Sequence, residues 1–168
     1  MIPIEIQDKI FLYLSWEELE KSRELQSNYV KDCTKFGTLI NVIKNINIEY
    51  NGLNNIKWLL GDPRVDPSSN NNAIQVASKN GHTEIVKLLL GDPRVDPTTY
   101  NNKAIRVASE NGHTEIVKLL LGDPRVDPSV DDNFAIQLAS KNGHTDVVKL
   151  LLGDPRVDPD PKNKRLRN

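Results

Sequence analysis

The apolar positions of this chain fall into one pattern that is written three times. From Thr83 the sequence reads Thr, Glu, then Ile85, Val86, Leu88, Leu89 and Leu90, with only Lys87 between them; the same order returns from Thr114, and from Thr145 with Asp146 and Val147 in place of Glu and Ile. Ahead of each run, a shorter segment places Ile74, Ala77 and Ser78 on one face at helical spacing. The spacing predicts two short helices per unit. The first runs from about Ala73 to Lys79, with Asn71 or Asn72 as its N-cap. Gly81 then makes a tight turn, and Thr83 caps the second helix, with Glu84 in the first turn where the helix dipole favours an anion. Gly91 is expected in the left-handed position after the helix, and Pro93 stops it. The second helix is apolar on nearly all sides, so it needs cover on more than one side. A unit of this size cannot supply that cover itself, so its neighbours must.

The rare residues set the period. GDPRVDP begins at Gly61, Gly91, Gly122 and Gly153, in steps of 30, 31 and 31 residues, and contains eight of the ten prolines. NGHT begins at Asn80, Asn111 and Asn142 and holds all three histidines. Segments 73–97 and 104–128 differ only at Gln75/Arg106 and Lys79/Glu110. Fixed self-similarity of this length means a solenoid of stacked units rather than one globular core.

Composition narrows the function. Hydrophobic residues are 38% and aromatics 5% of the 168 residues, which argues against one aromatic-rich core. A net charge of -1 gives no basic field to hold nucleic acid or a membrane surface. The single cysteine, Cys33, excludes an internal disulfide and fits a reducing compartment. The opening MIPIEIQDKIFLYL lacks the basic start of a signal peptide, and no apolar run reaches membrane-spanning length. A cytoplasmic location is expected.

The segment NAIQVASKNGHTEIVKLLL, residues 72–90, resembles an ankyrin repeat. The family pattern T-P-L-H-L-A-A-x-x-G-H is met by Ile74, Ala77-Ser78 and Gly81-His82, and it departs at Ala73 and Gln75. Segments 103–121 and 134–152 match in the same way. GDPRVDP replaces the family's usual G-A-D-V-N loop. Upstream, Asn51-Gly52 and LNNIKWLL echo the turn and the second helix. Leu39, Ile40, Val42, Ile43, Ile46 and Ile48 supply an earlier, less regular helix, so the resemblance implies a divergent N-terminal capping repeat.

The first 36 residues differ. Ile6, Ile10 and Leu14 form an amphipathic stripe, and Ser15 with Glu18 is a capping box. The set Ile2-Pro3, Glu5-Ile6, Ile10, Tyr13-Leu14-Ser15, Glu18-Leu19 and Tyr29 is similar to an F-box, with Ile2 in place of leucine and Tyr29 in place of tryptophan. That resemblance implies docking onto the small adaptor subunit of SCF-type cullin–RING ubiquitin ligases through Ile2, Pro3, Ile6, Ile10, Leu14, Leu19 and Tyr29. An F-box ahead of ankyrin repeats is similar to proteins of large DNA viruses of eukaryotes. That resemblance implies the cytoplasm of a host cell.

Candidate chemistry is sparse. His82, His113 and His144 sit one unit apart. Stacked helices lie about 8–10 Å apart, whereas two nitrogens on one zinc are little more than about 3 Å apart, so the histidines are expected to be structural. The pairs Asp62/Asp66, Asp92/Asp96 and Asp123/Asp127 each enclose Pro-Arg-Val, and a turn with local Asp–Arg pairing is expected there rather than calcium or carboxylate catalysis. No G-x-S-x-G, P-loop, H-E-x-x-H or CxxC motif occurs. Lone Cys33 is expected to be a small buried or half-buried residue, and the tail bearing Lys162, Lys164, Arg165 and Arg167 a solvated end. No enzyme activity, metal or cofactor is expected.

The expected fold is all-α: an ankyrin-like helical repeat solenoid behind a small N-terminal helical F-box-like module. The expected divisions are 1–36 for that module and 37–67 for the capping repeat. Repeats follow at 68–97, 98–128 and 129–159, with a polar tail at 160–168. The positions that vary between units on a constant frame are the expected target-binding set: Asn72, Lys103 and Phe134; Gln75, Arg106 and Gln137; Lys79, Glu110 and Lys141; and loop residue Tyr100. The final helix reads like an internal one and the tail is short and polar. One side of the last unit is therefore expected to be open, to fray first, and to self-associate or need a partner.

Overall fold

A computed structural model of the chain describes Ile43 and residues 52–63, 65–68 and 72–157. Two compact units are present, Met1–Ala73 and Ile74–Asn168. The described residues are all helical or in turns, with no strand among them. In the first unit, α1 (Gly52–Gly61) buries Ile56 and Leu59 completely, and Ile43 and Val65 are also buried. The residues expected to dock the adaptor, Ile2, Pro3, Ile6, Ile10, Leu14, Leu19 and Tyr29, lie outside the described residues, as do Cys33 and the tail.

The second unit is a row of helix pairs: α2 (Asn72–Asn80) with α3 (Thr83–Leu90), α4 (Thr99–Glu110) with α5 (Thr114–Leu121), and α6 (Val130–Lys141) with α7 (Thr145–Leu152). The first helices form one layer, in which α4 packs on α6. The second helices form the other, in which α5 packs on both α3 and α7. The apolar runs explain the layering. In α5, Ile116, Val117 and Leu120 are fully buried while Glu115 and Lys118 stay in water. Ala104, Ile105, Ala108 and Ser109 line the buried side of α4. Small side chains there let the helices approach closely.

Two details at the helix ends differ from expectation. The N-cap of each second helix is the histidine, not the threonine, and no side chain makes a capping bond there. Thr83 is already inside the helix because its N–H turns back to the Gly81 carbonyl at 3.0 Å, while Val86 N–H starts the ladder on His82 O at 3.0 Å. Gly91, Gly122 and Gly153 are right-handed, with φ from -76 to -71, rather than left-handed. Each continues the turn by donating its N–H to the lysine carbonyl four residues back, and the proline two residues on ends it. The left-handed glycines are Gly81, Gly112 and Gly143, with φ of 79, 73 and 75.

Those turns couple the repeats through the freed histidine side chains. His113 Nε2 hydrogen-bonds the Lys79 carbonyl at 2.9 Å, and His144 Nε2 the Glu110 carbonyl at 3.0 Å. The acceptors are end-of-helix carbonyls, which have no partner within their own helix. Each ring also lies against the preceding repeat's glycine. A Cβ on Gly81 would meet the His113 ring at 2.8 Å, and one on Gly112 would meet His144 at 2.6 Å.

GDPRVDP makes the second coupling. Arg94, Arg125 and Arg156 each grip the aspartate two residues before with two nitrogens, the shorter contacts being 2.6, 2.6 and 2.7 Å. Arg125 also donates to Val95 O at 3.0 Å, and Arg156 to Val126 O at 2.7 Å, one repeat back. The motif's later aspartates have another role. Asp96 and Asp127 accept from the N–H and hydroxyl of Thr98 and Ser129, which closes the next loop. The expected Asp–Arg pairing is therefore present at the first aspartate of the motifs that begin at Gly91, Gly122 and Gly153, and Arg64 of the first motif lies outside the described residues.

Hydrogen bonding from the arginine holds the Asp92, Asp123 and Asp154 carboxyls below the usual carboxylate range. A lowered folded pKa gives stability that is complete above the unfolded value of about 3.9 and is lost as pH falls through the folded value. The thermal midpoint of wild type should therefore stand above that of Asp123→Asn at neutral pH. The gap should close as the pH drops below about 4. A gap constant down to the acid limit would show that the pair contributes nothing through its charge.

Two hydroxyl groups are buried at a cost. The hydroxyls of Ser78 and Ser109 are buried without a hydrogen-bond partner. A buried unpaired hydroxyl costs about 1–3 kcal/mol. Ser109→Ala should therefore raise the thermal midpoint, by about 2–4 °C per kcal/mol gained. A lower midpoint in calorimetry would mean that the hydroxyl is satisfied.

Candidate protein-interaction face

The kinked entry loops at the start of α4 and α6, inside the ranges given above, shape the variable surface. Each opens with three consecutive left-handed residues, none of them glycine. Tyr100, Asn101 and Asn102 have φ of 54, 56 and 53, and Asp131, Asp132 and Asn133 have φ of 54, 56 and 63. A left-handed turn costs an L-residue about 1–2 kcal/mol. Asn and Asp carry that cost best because their side chains bond locally.

Specific bonds hold the turns. Asn102 N–H donates to Thr98 O at 2.8 Å and Asn133 N–H to Ser129 O at 3.0 Å. Buried Asn102 accepts the N–H of Asp127, at the end of its own repeat, through Oδ1 at 3.1 Å. Arg106 Nη2 donates to Tyr100 O at 2.8 Å, and Gln137 Nε2 to Asp132 O at 2.7 Å. Two of the variable helix positions are therefore latches on their own loops.

The result is one patch across two repeats. Arg106 pairs with Asp131 at 3.1 Å, and Asn101 Nδ2 reaches the same carboxylate at 3.3 Å. The Arg106 guanidinium lies 5.7 Å from the centre of the Phe134 ring, and Lys103 Nζ lies 5.8 Å from that of Tyr100. Tyr100 is 58% exposed and Phe134 38%, and with Leu152 they are the exposed large hydrophobic residues among those described. Two solvent-facing rings held beside cations suit a protein partner better than solvent, because aromatic and arginine side chains dominate binding energy at interfaces.

The structure does not bring the whole variable set to this surface. Tyr100, Lys103 and Phe134 are exposed together in the patch, and Lys79, Glu110, Gln137 and Lys141 are exposed on their helices. Asn72 and Arg106 are half-buried. Gln75 is only 5% exposed and spends its amide on Thr99 Oγ1 at 3.3 Å, so it leaves the target-facing set. Asn101 and Asp131 join it. The recurrence of Asn102 and Asn133 at one position of the repeat was the available signal that these loops share a built geometry.

No helix among the described residues is long and apolar enough to cross a membrane. A family model described as ankyrin repeats, in three copies, matches residues 45–132 and 107–165. No curated protein and no solved structure matches the chain.

Proposed function

Because the chain belongs to the ankyrin-repeat family of protein-interaction modules, we propose that it is a non-catalytic recruiting subunit that holds a target protein on its repeats. The observation that carries this reading is the exposed pair Tyr100 and Phe134, each backed by a cation and fixed by latched loops. The face comprises Tyr100, Asn101, Lys103 and Phe134, extended by Lys79, Glu110, Gln137 and Lys141 on neighbouring helices.

The N-terminal segment supplies the second half of the proposal. Residues 1–36 act as an F-box-like module, and 37–67 act as the capping repeat behind it. The module delivers the target to the adaptor subunit of an SCF-type ubiquitin ligase. Its support is the spacing of Ile2, Pro3, Ile6, Ile10, Leu14, Leu19 and Tyr29. The setting proposed for this action is a host cytoplasm, supported by the resemblance of this layout to viral proteins. Calorimetry with the purified adaptor tests the module. Wild type should bind and Ile10→Asp should not, with repeat helicity unchanged in both. Binding that survives Ile10→Asp, or is absent in wild type, leaves an interaction module or decoy whose first 36 residues serve only as a helical cap.

A further inference from the structure

The helix pair α6–α7 has one face that its counterparts hide. Ile105, Ser109 and Val117 are each no more than 1% exposed, whereas the matching Ile136 and Val148 are half-buried and Ser140 is exposed. Leu152 is 47% exposed. A Cβ on Gly112 would strike the His144 ring at 2.6 Å, yet one on Gly143 would have nothing within 4 Å. The backbone that receives a following repeat is thus present at Gly143, with nothing against it among the described residues. None of Ile136, Ser140, Gly143, Val148 and Leu152 is charged, and Ser140 and Gly143 permit close approach.

We propose that this face is a two-fold interface on which α6–α7 of a second copy of the chain packs. The face continues the inter-repeat interface that α4–α5 and α6–α7 already form, so its natural cover is a helix pair of the same type. A second copy cannot offer the histidine-bearing side of a repeat. His113 and His144 are spent on Lys79 and Glu110, and His82 is also engaged. It can offer the same open face. An uncharged surface meets its own copy without like-charge repulsion, and closed two-fold pairing is the commonest form of homo-oligomer. The assembly leaves the Tyr100–Phe134 patch of both copies in place. Where the target reading holds, it presents two target faces per particle and so gains avidity.

Sedimentation of the full-length chain over a wide concentration range tests the pairing. Wild type should move from 18.9 kDa to twice that mass as concentration rises. Val148→Glu and Leu152→Lys should stay at 18.9 kDa throughout. Leu152→Lys alters a side chain that is already half in water, so it separates lost pairing from lost folding. A wild-type chain that stays monomeric overturns the proposal, and so does a dimer that persists in Leu152→Lys. Hydrogen exchange on the most dilute sample gives a third reading. Amides of Leu150–Leu152 as protected as those of Leu119–Leu121 in the monomer would show the face covered from within the chain, which also overturns it.

Discussion

Gly112→Ala should destabilise the repeats by roughly 2–4 kcal/mol, the sum of a left-handed alanine and a lost inter-repeat hydrogen bond. Gly112 sits at φ 73, and the new methyl would meet the His144 ring at 2.6 Å. The ring must swing away, which breaks its 3.0 Å bond to the Glu110 carbonyl and leaves that carbonyl without it. Gly143→Ala is the internal control. Its φ of 75 imposes the same backbone strain, but its Cβ enters open space. The two substitutions should therefore differ by about the value of the histidine latch, on the order of 1–2 kcal/mol. Equal losses in chemical denaturation would show that the histidines do not couple the repeats.

Ala108→Leu is the second large effect. Ala108 is fully buried in α4, with α5 and α6 packed around that helix, and its carbonyl accepts the His113 N–H at 3.0 Å. Three added carbon atoms have no space at that contact. Overpacking of this kind costs about 1–3 kcal/mol. The helix pair and its turn are set by the carbonyl beside the methyl, so the strain reaches the next repeat. The thermal midpoint should fall, and the loss should exceed that of Val107→Leu on the same helix, where the side chain is only half-buried. An unchanged midpoint would mean that α4 is rotated from its assigned phase.

Local chemistry explains which parts of this molecule were legible in the sequence. Ala77, Ala108 and Ala139 sit fully buried where their spacing puts them, because helix phase follows directly from the 3.6-residue period. Gly81 takes its left-handed turn because no other residue does so at low cost. Thr83 was the better N-cap by propensity, yet the chain gives that position to His82. At the equivalent cap of the following unit the His113 imidazole reaches back to the Lys79 carbonyl, and no local rule contains that bond. Gly91 was expected to be left-handed, but the lysine carbonyl four residues back takes its N–H first.

The interaction face was legible in part. Variation between copies pointed to Tyr100, Lys103 and Phe134, which are exposed together. It pointed equally to Gln75, Arg106 and Gln137, whose side chains reach loop atoms 5 to 25 residues away. Variation marks a position without saying which way its side chain turns. The recurrence of Asn102 and Asn133 marked a shared loop geometry, but not its left-handed conformation. The turns depend on Asn102 accepting an N–H from Asp127 at the far end of its own repeat, and on Arg106 gripping Asp131 of the next repeat, contacts that no local pattern contains.

In the proposed function one chain carries two separable binding surfaces, the N-terminal stripe for the adaptor and the Tyr100–Phe134 patch for a target. Affinity capture from eukaryotic lysate with three baits tests it most directly: wild type, Ile10→Asp, and the double change Tyr100→Ala with Phe134→Ala. Wild type should capture the adaptor and its cullin together with a further protein. Ile10→Asp should lose the adaptor and cullin alone, and the aromatic double variant should lose the further protein alone. A wild-type bait that captures neither the adaptor nor the cullin would contradict the account, as would variants that lose both sets of proteins together.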